Sequence, residues 1–307
     1  MRVVRNIALG VACILLGGLS SVVWREGVLS VLPRVHSEER TTRSEFVGQP
    51  YIPSELFFAG ERIPLEYEDV REALDYELCV AANWHSQILQ MLKRSTRYFP
   101  ELEQLLGEEG VPADLKYLAV AESSLNERAY SPSKAAGLWQ FLEAAGKEYG
   151  LVINEEVDQR YDLECATRAA CAYLKAAYAR FGSWAMAAAA YNMGQNGLMR
   201  VTFAQTEDEY YNLHLNIETG RYFYRILALK LVLEYPERYG FALRPEERYA
   251  PIAYRRYDVD STLDLPAFAK AQGLNYKLLR RANPWLRTTR LTVKGGEGYQ
   301  LRLPLTR

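Results

Sequence analysis

Glu122 is the residue with the most chemical promise. Leu115, Leu118, Ala119 and Glu122 follow an i, i+3, i+4, i+7 pattern after Pro112. At 100° per residue this puts the carboxylate within about 20° of Leu115, in the middle of an apolar helical face. Tyr117, Val120 and Ala121 make the opposite side apolar as well, so the helix is expected to be interior. Burial disfavours the charged form of a carboxyl and raises its pKa. A carboxyl that keeps its proton near neutral pH is what a general acid requires. The competing reading is a buried ion pair with Arg128 or Lys134. Two strings follow downstream, Gly137-Leu138-Trp139-Gln140-Phe141 and Ala190-Tyr191-Asn192-Met193-Gly194. Singly they read as a core Trp at a turn and as a helix that ends at a glycine.

In that order and spacing, Glu122-Ser123, GLWQF and AYNMG resemble the catalytic domain of the lytic transglycosylases, goose-lysozyme-like enzymes of the SLT type that cut bacterial peptidoglycan. The likeness is closest to the membrane-bound type D branch. It extends upstream through Phe58-Ala59-Gly60-Glu61 and Ile63-Pro64-Leu65, and downstream through Glu218-Thr219 and Arg221-Tyr222, covering roughly residues 53–243. Met193 stands where Ala or Ser is commoner in the family, and Ser183 where an acidic residue often precedes the Trp.

The resemblance implies cleavage of the MurNAc–GlcNAc β-1,4 bond with formation of 1,6-anhydroMurNAc ends. A single Glu, here Glu122, acts first as acid and then as base. It also implies that Tyr191 hydrogen-bonds near Glu122 and that Asn192 orients its loop. Ser131 and Gln140 would contact sugar, while Ser123 and Glu218 would line the groove. Trp139 reads as core, Tyr222 as packing, and Glu143 and Glu164 as surface or helix-dipole charges. Two alternatives stay open: a lysozyme-type muramidase in which water replaces the C6 hydroxyl, and a non-catalytic peptidoglycan-binding protein.

The elements expected to position these groups are helical. Val70, Leu74, Leu78 and Ala81 recur at helical steps, as do Ile88, Leu89 and Leu92. Pro100 and Pro112 are read as first-turn prolines, and the Ala-rich run 169–191 as closely approaching helices. Past Tyr239-Gly240 the texture changes. Tyr257-Asp258-Val259 and Tyr299–Leu303 read as strands that flank two short helices. That βααβ order, with Leu263, Phe268, Gly273 and Asn283, resembles a degenerate LysM domain. Lys277, Arg280, Arg281, Arg287 and Arg290 within it read as a solvated basic face. The expected class is mainly α: a lysozyme-like helical catalytic domain with a small α+β, LysM-like C-terminal domain. The expected division is 1–24 signal peptide or membrane anchor, 25–52 polar linker, 53–98 N-terminal helical extension, 99–243 catalytic domain and 252–307 LysM-like domain.

Composition fits a globular protein with a substantial core. The 307 residues allow about two domains, and 37 Lys+Arg against 38 Asp+Glu give a net charge of −1. That leaves no field to hold a polyanion, so no nucleic-acid partner is expected. Arg2 and Arg5 precede an uncharged, mostly apolar run from Ile7 to Trp24. This run reads either as a signal cleaved after Ser20 or as a retained membrane anchor. Either way the body is exported, to the periplasm or cell envelope, with peptidoglycan glycan strands as the expected partner. His36, His85 and His214 lack ligand-like spacing, so no metal site and no cofactor are expected. Cys165 and Cys171 fall on different faces of one predicted helix, too far apart to pair. Cys79 could pair with either of them, but buried free thiols are the expected state of Cys79, Cys165 and Cys171.

Overall fold

The computed structural model describes residues 48–294 and 298–305. The N-terminal apolar run, Cys13, His36 and most of the polar linker lie outside the described residues. None of the described helices is long and apolar enough to cross a membrane.

Ten α-helices dominate the described chain. In order they are α1 (Glu68–Asn83), α2 (His85–Glu108), α3 (Lys116–Ser123), α4 (Glu143–Glu148), α5 (Leu163–Phe181), α6 (Trp184–Met193), α7 (Gln195–Gln205), α8 (Ile217–Glu234), α9 (Leu265–Ala271) and α10 (Tyr276–Ala282). The periodic residues read from the sequence do the packing. Val70, Leu74, Leu78 and Ala81 bury one face of α1, and Ile88, Met91 and Leu92 bury the first half of α2. Pro100 corrects the expectation of a first-turn proline, because it lies inside α2. Proline there removes one backbone donor, but Leu102, Leu105 and Leu106 continue the apolar stripe beyond it. That burial carries the helix past the missing bond. Pro112 stands just ahead of a 3₁₀ turn, Ala113–Leu115, that leads into α3.

At the centre lies α6, whose residues Trp184 to Ala190 are all buried. Five alanines in seven positions let neighbouring helices approach closely. Its N-terminus is capped twice. Ser183 accepts from the Met186 amide, and the Glu61 carboxylate accepts from the Trp184 amide at 2.8 and 2.9 Å. Glu61 thus supplies, from a hairpin of β1 (Phe57–Phe58) and β2 (Glu61–Arg62), the negative charge that position 183 lacks. Helix α8 runs against α1, α3 and α6 and buries Thr219, Tyr222, Phe223, Ile226 and Leu227 among others.

The C-terminal region contains β3 (Tyr254–Val259), β4 (Leu263–Asp264), α9, α10, β5 (Arg290–Leu291) and β6 (Tyr299–Pro304). Strands β3 and β6 pair antiparallel, from Tyr254 opposite Pro304 to Val259 opposite Tyr299. The second pair, β4 with β5, is two residues long on each side, too short for alternation to register in the sequence. A separate cluster of Val259, Leu265, Phe268, Leu279, Leu301 and Leu303 forms its core. Cys79, Cys165 and Cys171 are free, and the last is fully buried in α5.

Candidate active site

Glu122 sits in the last turn of α3, which ends because Ser124 and Leu125 both take positive φ, 54° and 55°. Around it Tyr117, Leu118, Ala119 and Val120 are at most 2% exposed. Neither Arg128 nor Lys134 pairs with it; Arg128 is bridged to Glu127 at 3.9 Å instead. Its partner is the Tyr222 phenol of α8, which donates to Oε1 at 2.5 Å. Burial pushes the Glu122 carboxyl up to about 7 and Glu218 adds to the rise, while the Tyr222 hydroxyl and the Arg225 guanidinium pull the other way. The Tyr222 phenol is itself held well above its usual range by burial and by the Glu122 charge. It therefore remains a neutral donor.

The carboxyl opens on a groove of about 880 Å³, within the range of ligand sites. Glu122, Gln140, Tyr191 and Asn192 all line it. Gln140 has φ 49°, a left-handed conformation rarely taken by a residue with a side chain. Its amide nitrogen donates to the carbonyls of Gly137 (2.8 Å) and Ala129 (3.3 Å). Those two acceptors fix the orientation of the amide. The turn is closed by Ala136 N donating to Phe141 O at 3.0 Å. Gly137, at φ 78°, permits it, since a Cβ there would lie 1.8 Å from the Arg160 carbonyl oxygen.

Tyr191 packs among Trp139, Phe141 and Tyr173, and its hydroxyl donates to the Trp139 carbonyl at 2.7 Å. Asn192 Oδ1 accepts from Thr219 Oγ1 at 2.8 Å. Thr219 is in turn bonded through its amide and hydroxyl to Asn216, the residue that caps α8. The end of α6 and the start of α8 are thus pinned together beside the acid.

The remaining candidates lie elsewhere. Ser123 is buried, and its hydroxyl donates back to the Ala119 carbonyl within α3 at 2.9 Å. Ser131 Oγ accepts from the Ala135 amide and stitches its own turn, while Ser133 is the serine that lines the groove. Glu218 is exposed and paired with Arg225 at 3.2 Å. Trp139 is fully buried, with its indole N–H donating to Thr167. The clearest correction is Tyr222, read as packing from the sequence but bonded directly to the acid. The two residues are 100 positions apart, and α8 buries Tyr222, Phe223 and Tyr224 in succession. No local pattern tells which of these rings faces Glu122. The groove also takes in Glu148, Tyr149, Arg180 and Gln195, none of which the sequence marked. Among the described residues no group of three or more His, Cys, Asp or Glu is placed to hold a metal ion.

Residues 103–214 match the family described as the transglycosylase SLT domain, and residues 255–307 match the soluble lytic transglycosylase C-terminal LysM-like domain. Membrane-bound lytic murein transglycosylase D of Escherichia coli strain K12 is 28% identical over 193 residues, 61% of this chain and 42% of that protein. The protein of the same name from Escherichia coli O6:H1 gives the same figures. The chain thus spans less than half the length of these curated relatives. Among solved structures, the 70 kDa soluble lytic transglycosylase of Escherichia coli superposes with a TM-score of 0.41 at 18% identity, over 55% of this chain and 32% of that one. An inactive mutant of the Pseudomonas aeruginosa lytic transglycosylase Slt gives 0.38 at 20% identity, over 64% and 34%. This chain carries a transglycosylase SLT domain followed by a LysM-like C-terminal domain, and it is homologous to the membrane-bound lytic murein transglycosylase D of Escherichia coli.

Proposed function

We propose that the protein is a peptidoglycan lytic transglycosylase with Glu122 as its single catalytic carboxyl. The observation that carries this reading is a carboxyl with a pKa of about 7, held by one neutral phenol and open to a groove. Protonated Glu122 gives its proton to the glycosidic oxygen between MurNAc and GlcNAc as the C1–O bond breaks. The N-acetyl carbonyl oxygen of MurNAc shares the oxocarbenium-like charge. The C6 hydroxyl oxygen then bonds to C1 and its proton returns to Glu122, which closes the 1,6-anhydro ring and resets the acid. Gln140 Oε1 and the Tyr191–Asn192 corner are assigned to holding sugar and shaping the wall. Tyr222 orients Glu122.

Most glycosidases use a second carboxylate. Glu148 is the other carboxylate lining the groove among the described residues, and it is exposed at the end of α4. The reading assigns it no chemical step. The catalytic work is placed in residues 99–243. Export to the cell envelope is proposed on the basic and then apolar N-terminus and on the membrane-bound relative.

The test is digestion of purified sacculi with mass spectrometry of the released muropeptides. Wild type should release ends one water lighter than reducing ends, and Glu122→Gln should release none. Reducing ends would identify a muramidase. Pelleting with sacculi and no release from wild type would identify a binding protein.

A further inference from the structure

The segment between α4 and α5 holds an ion pair for which the proposed chemistry has no use. Asp158 and Arg160 are 1% and 5% exposed. They are joined twice, Nε to Oδ1 at 2.9 Å and Nη2 to Oδ2 at 2.8 Å. The third nitrogen, Nη1, donates to the carbonyl oxygens of Lys134 (2.9 Å) and Phe141 (3.2 Å), which lie on either side of the Gln140 turn. The Arg160 backbone carbonyl presses on Gly137 at the turn itself. One arginine therefore touches the groove loop at both stems and at its tightest point. A guanidinium offers its donors in a rigid planar fork, so these contacts fix position. The loop needs such support, because Lys134 and Gln140 both carry positive φ, 66° and 49°. Backbone of that kind persists where its surroundings over-determine it.

The C-terminal domain clasps the same segment from the other side. Val157 forms a bridge with Leu286 and belongs to the C-terminal hydrophobic cluster. Asp158 N donates to Trp285 O at 2.9 Å, and Arg287 N donates to Glu156 O at 2.8 Å. The Glu156 carboxylate accepts from Thr292 N at 2.7 Å and from Thr292 Oγ1 at 3.0 Å. Arg287 Nη1 stands 3.7 Å from Asp158 Oδ2, so this arginine is not simply part of a solvated basic face.

We propose that the C-terminal domain is a brace for the groove, with Arg160 as the positioning residue that passes its grip on residues 156–158 to the Gln140 wall. This rests on the reading of the groove as the glycan site. The two Thr292 donors and the backbone groups of Trp285 and Arg287 are already spent on the catalytic domain, which is the use a brace would make of them.

The test uses the full chain with Arg160→Ala, Arg160→Lys and Glu156→Ala. Each is also placed on a Glu122→Gln background, where binding of a GlcNAc oligomer is measured by calorimetry without turnover. Arg160→Ala should weaken binding roughly tenfold or more, because a small misplacement of a contact group is costly. The loss should appear in KM more than in kcat, with partial rescue by Arg160→Lys. The alkaline limb of the pH–rate profile should stay in place, since Glu122 is held by α3 and Tyr222. Amide exchange at Ala136 and Gly137, which donate to Phe141 O and Ala129 O, should quicken in Glu156→Ala. Should Arg160→Ala fail to fold, Glu156→Ala decides. Unchanged oligomer affinity and unchanged exchange at residues 136 and 137 in a destabilised Glu156→Ala would overturn the brace. A wild type that releases no muropeptides would instead defeat the catalytic reading, and the brace would still stand or fall on binding and exchange.

Discussion

Glu122→Gln should make the protein more stable, and only above a certain pH. The wild-type carboxyl is raised from 4.5 to about 7 in the folded state, chiefly by burial. Below pH 4.5 it is protonated whether the chain is folded or not, and folding carries no penalty from it. Between pH 4.5 and 7 the unfolded chain releases a proton that the folded chain retains, so stability falls as pH rises through that window. Above pH 7 the penalty is complete. At about 1.4 kcal/mol per pH unit it amounts to about 3 kcal/mol, and partial opening to the groove brings it nearer 2. Glutamine does not titrate, and its Oε1 still accepts from Tyr222, so the variant escapes the penalty and keeps the bond. For a chain of this size the gain is about 4–10 °C in melting temperature. Thermal melts of both proteins at pH 4 and pH 8 measure it. Coincident curves at pH 4 and a more stable variant at pH 8 are expected. Parallel curves at both pH values, or a variant less stable at pH 8, would refute the stored proton.

Three further outcomes follow from the same geometry. Tyr222→Phe removes the donor that favours the carboxylate, so the alkaline limb of the pH–rate profile should move up by about one pH unit; a downward move would contradict the assignment. Glu148→Gln should keep the anhydro product and a rate within about twofold of wild type, since a single-carboxyl mechanism gives it no step. A hundredfold loss with Glu122 intact would point to paired carboxylates. Gly137→Ala forces a Cβ to within 1.8 Å of the Arg160 carbonyl at φ 78°, and should cost about 3 kcal/mol or more in a denaturant titration.

What the sequence made legible was whatever repeats locally. The stripe of α1 and the interior character of α3 follow from spacing alone, and Glu122 stood out because a charge on an apolar face breaks a strong pattern. The Ala-rich run 169–191 read as helical, but its division at Gly182 and Ser183 into two helices came only with the structure. Pro100 misled because a local rule about proline was weaker than the apolar stripe on both sides of it. Tyr222 was illegible for the opposite reason: α8 buries three aromatic residues in a row, and only the tertiary arrangement selects one to face the acid. Ser131 and Ser133 differ by two positions in a loop, where no period assigns a direction. The clasp of Glu156, Val157 and Asp158 by the C-terminal domain joins segments more than a hundred residues apart, and its polar residues look like surface in isolation.

The choice of partner for Glu122 carries the chemistry further than its burial does. An arginine or lysine at hydrogen-bond distance would have satisfied the buried carboxyl, but at the cost of ionising it, because an adjacent cation favours the charged form. The acid would then be empty at neutral pH. A phenol held well above its ordinary range donates without neutralising. It fixes Oε1 as an acceptor, which in the proposed mechanism leaves Oε2 to carry the proton. Arg225 is near enough to temper the carboxyl but is anchored to Glu218 and Glu77, so its charge is largely spent before it reaches Glu122. The ion pair that the sequence offered as the plainer alternative would have been the arrangement in which this residue could not serve as an acid.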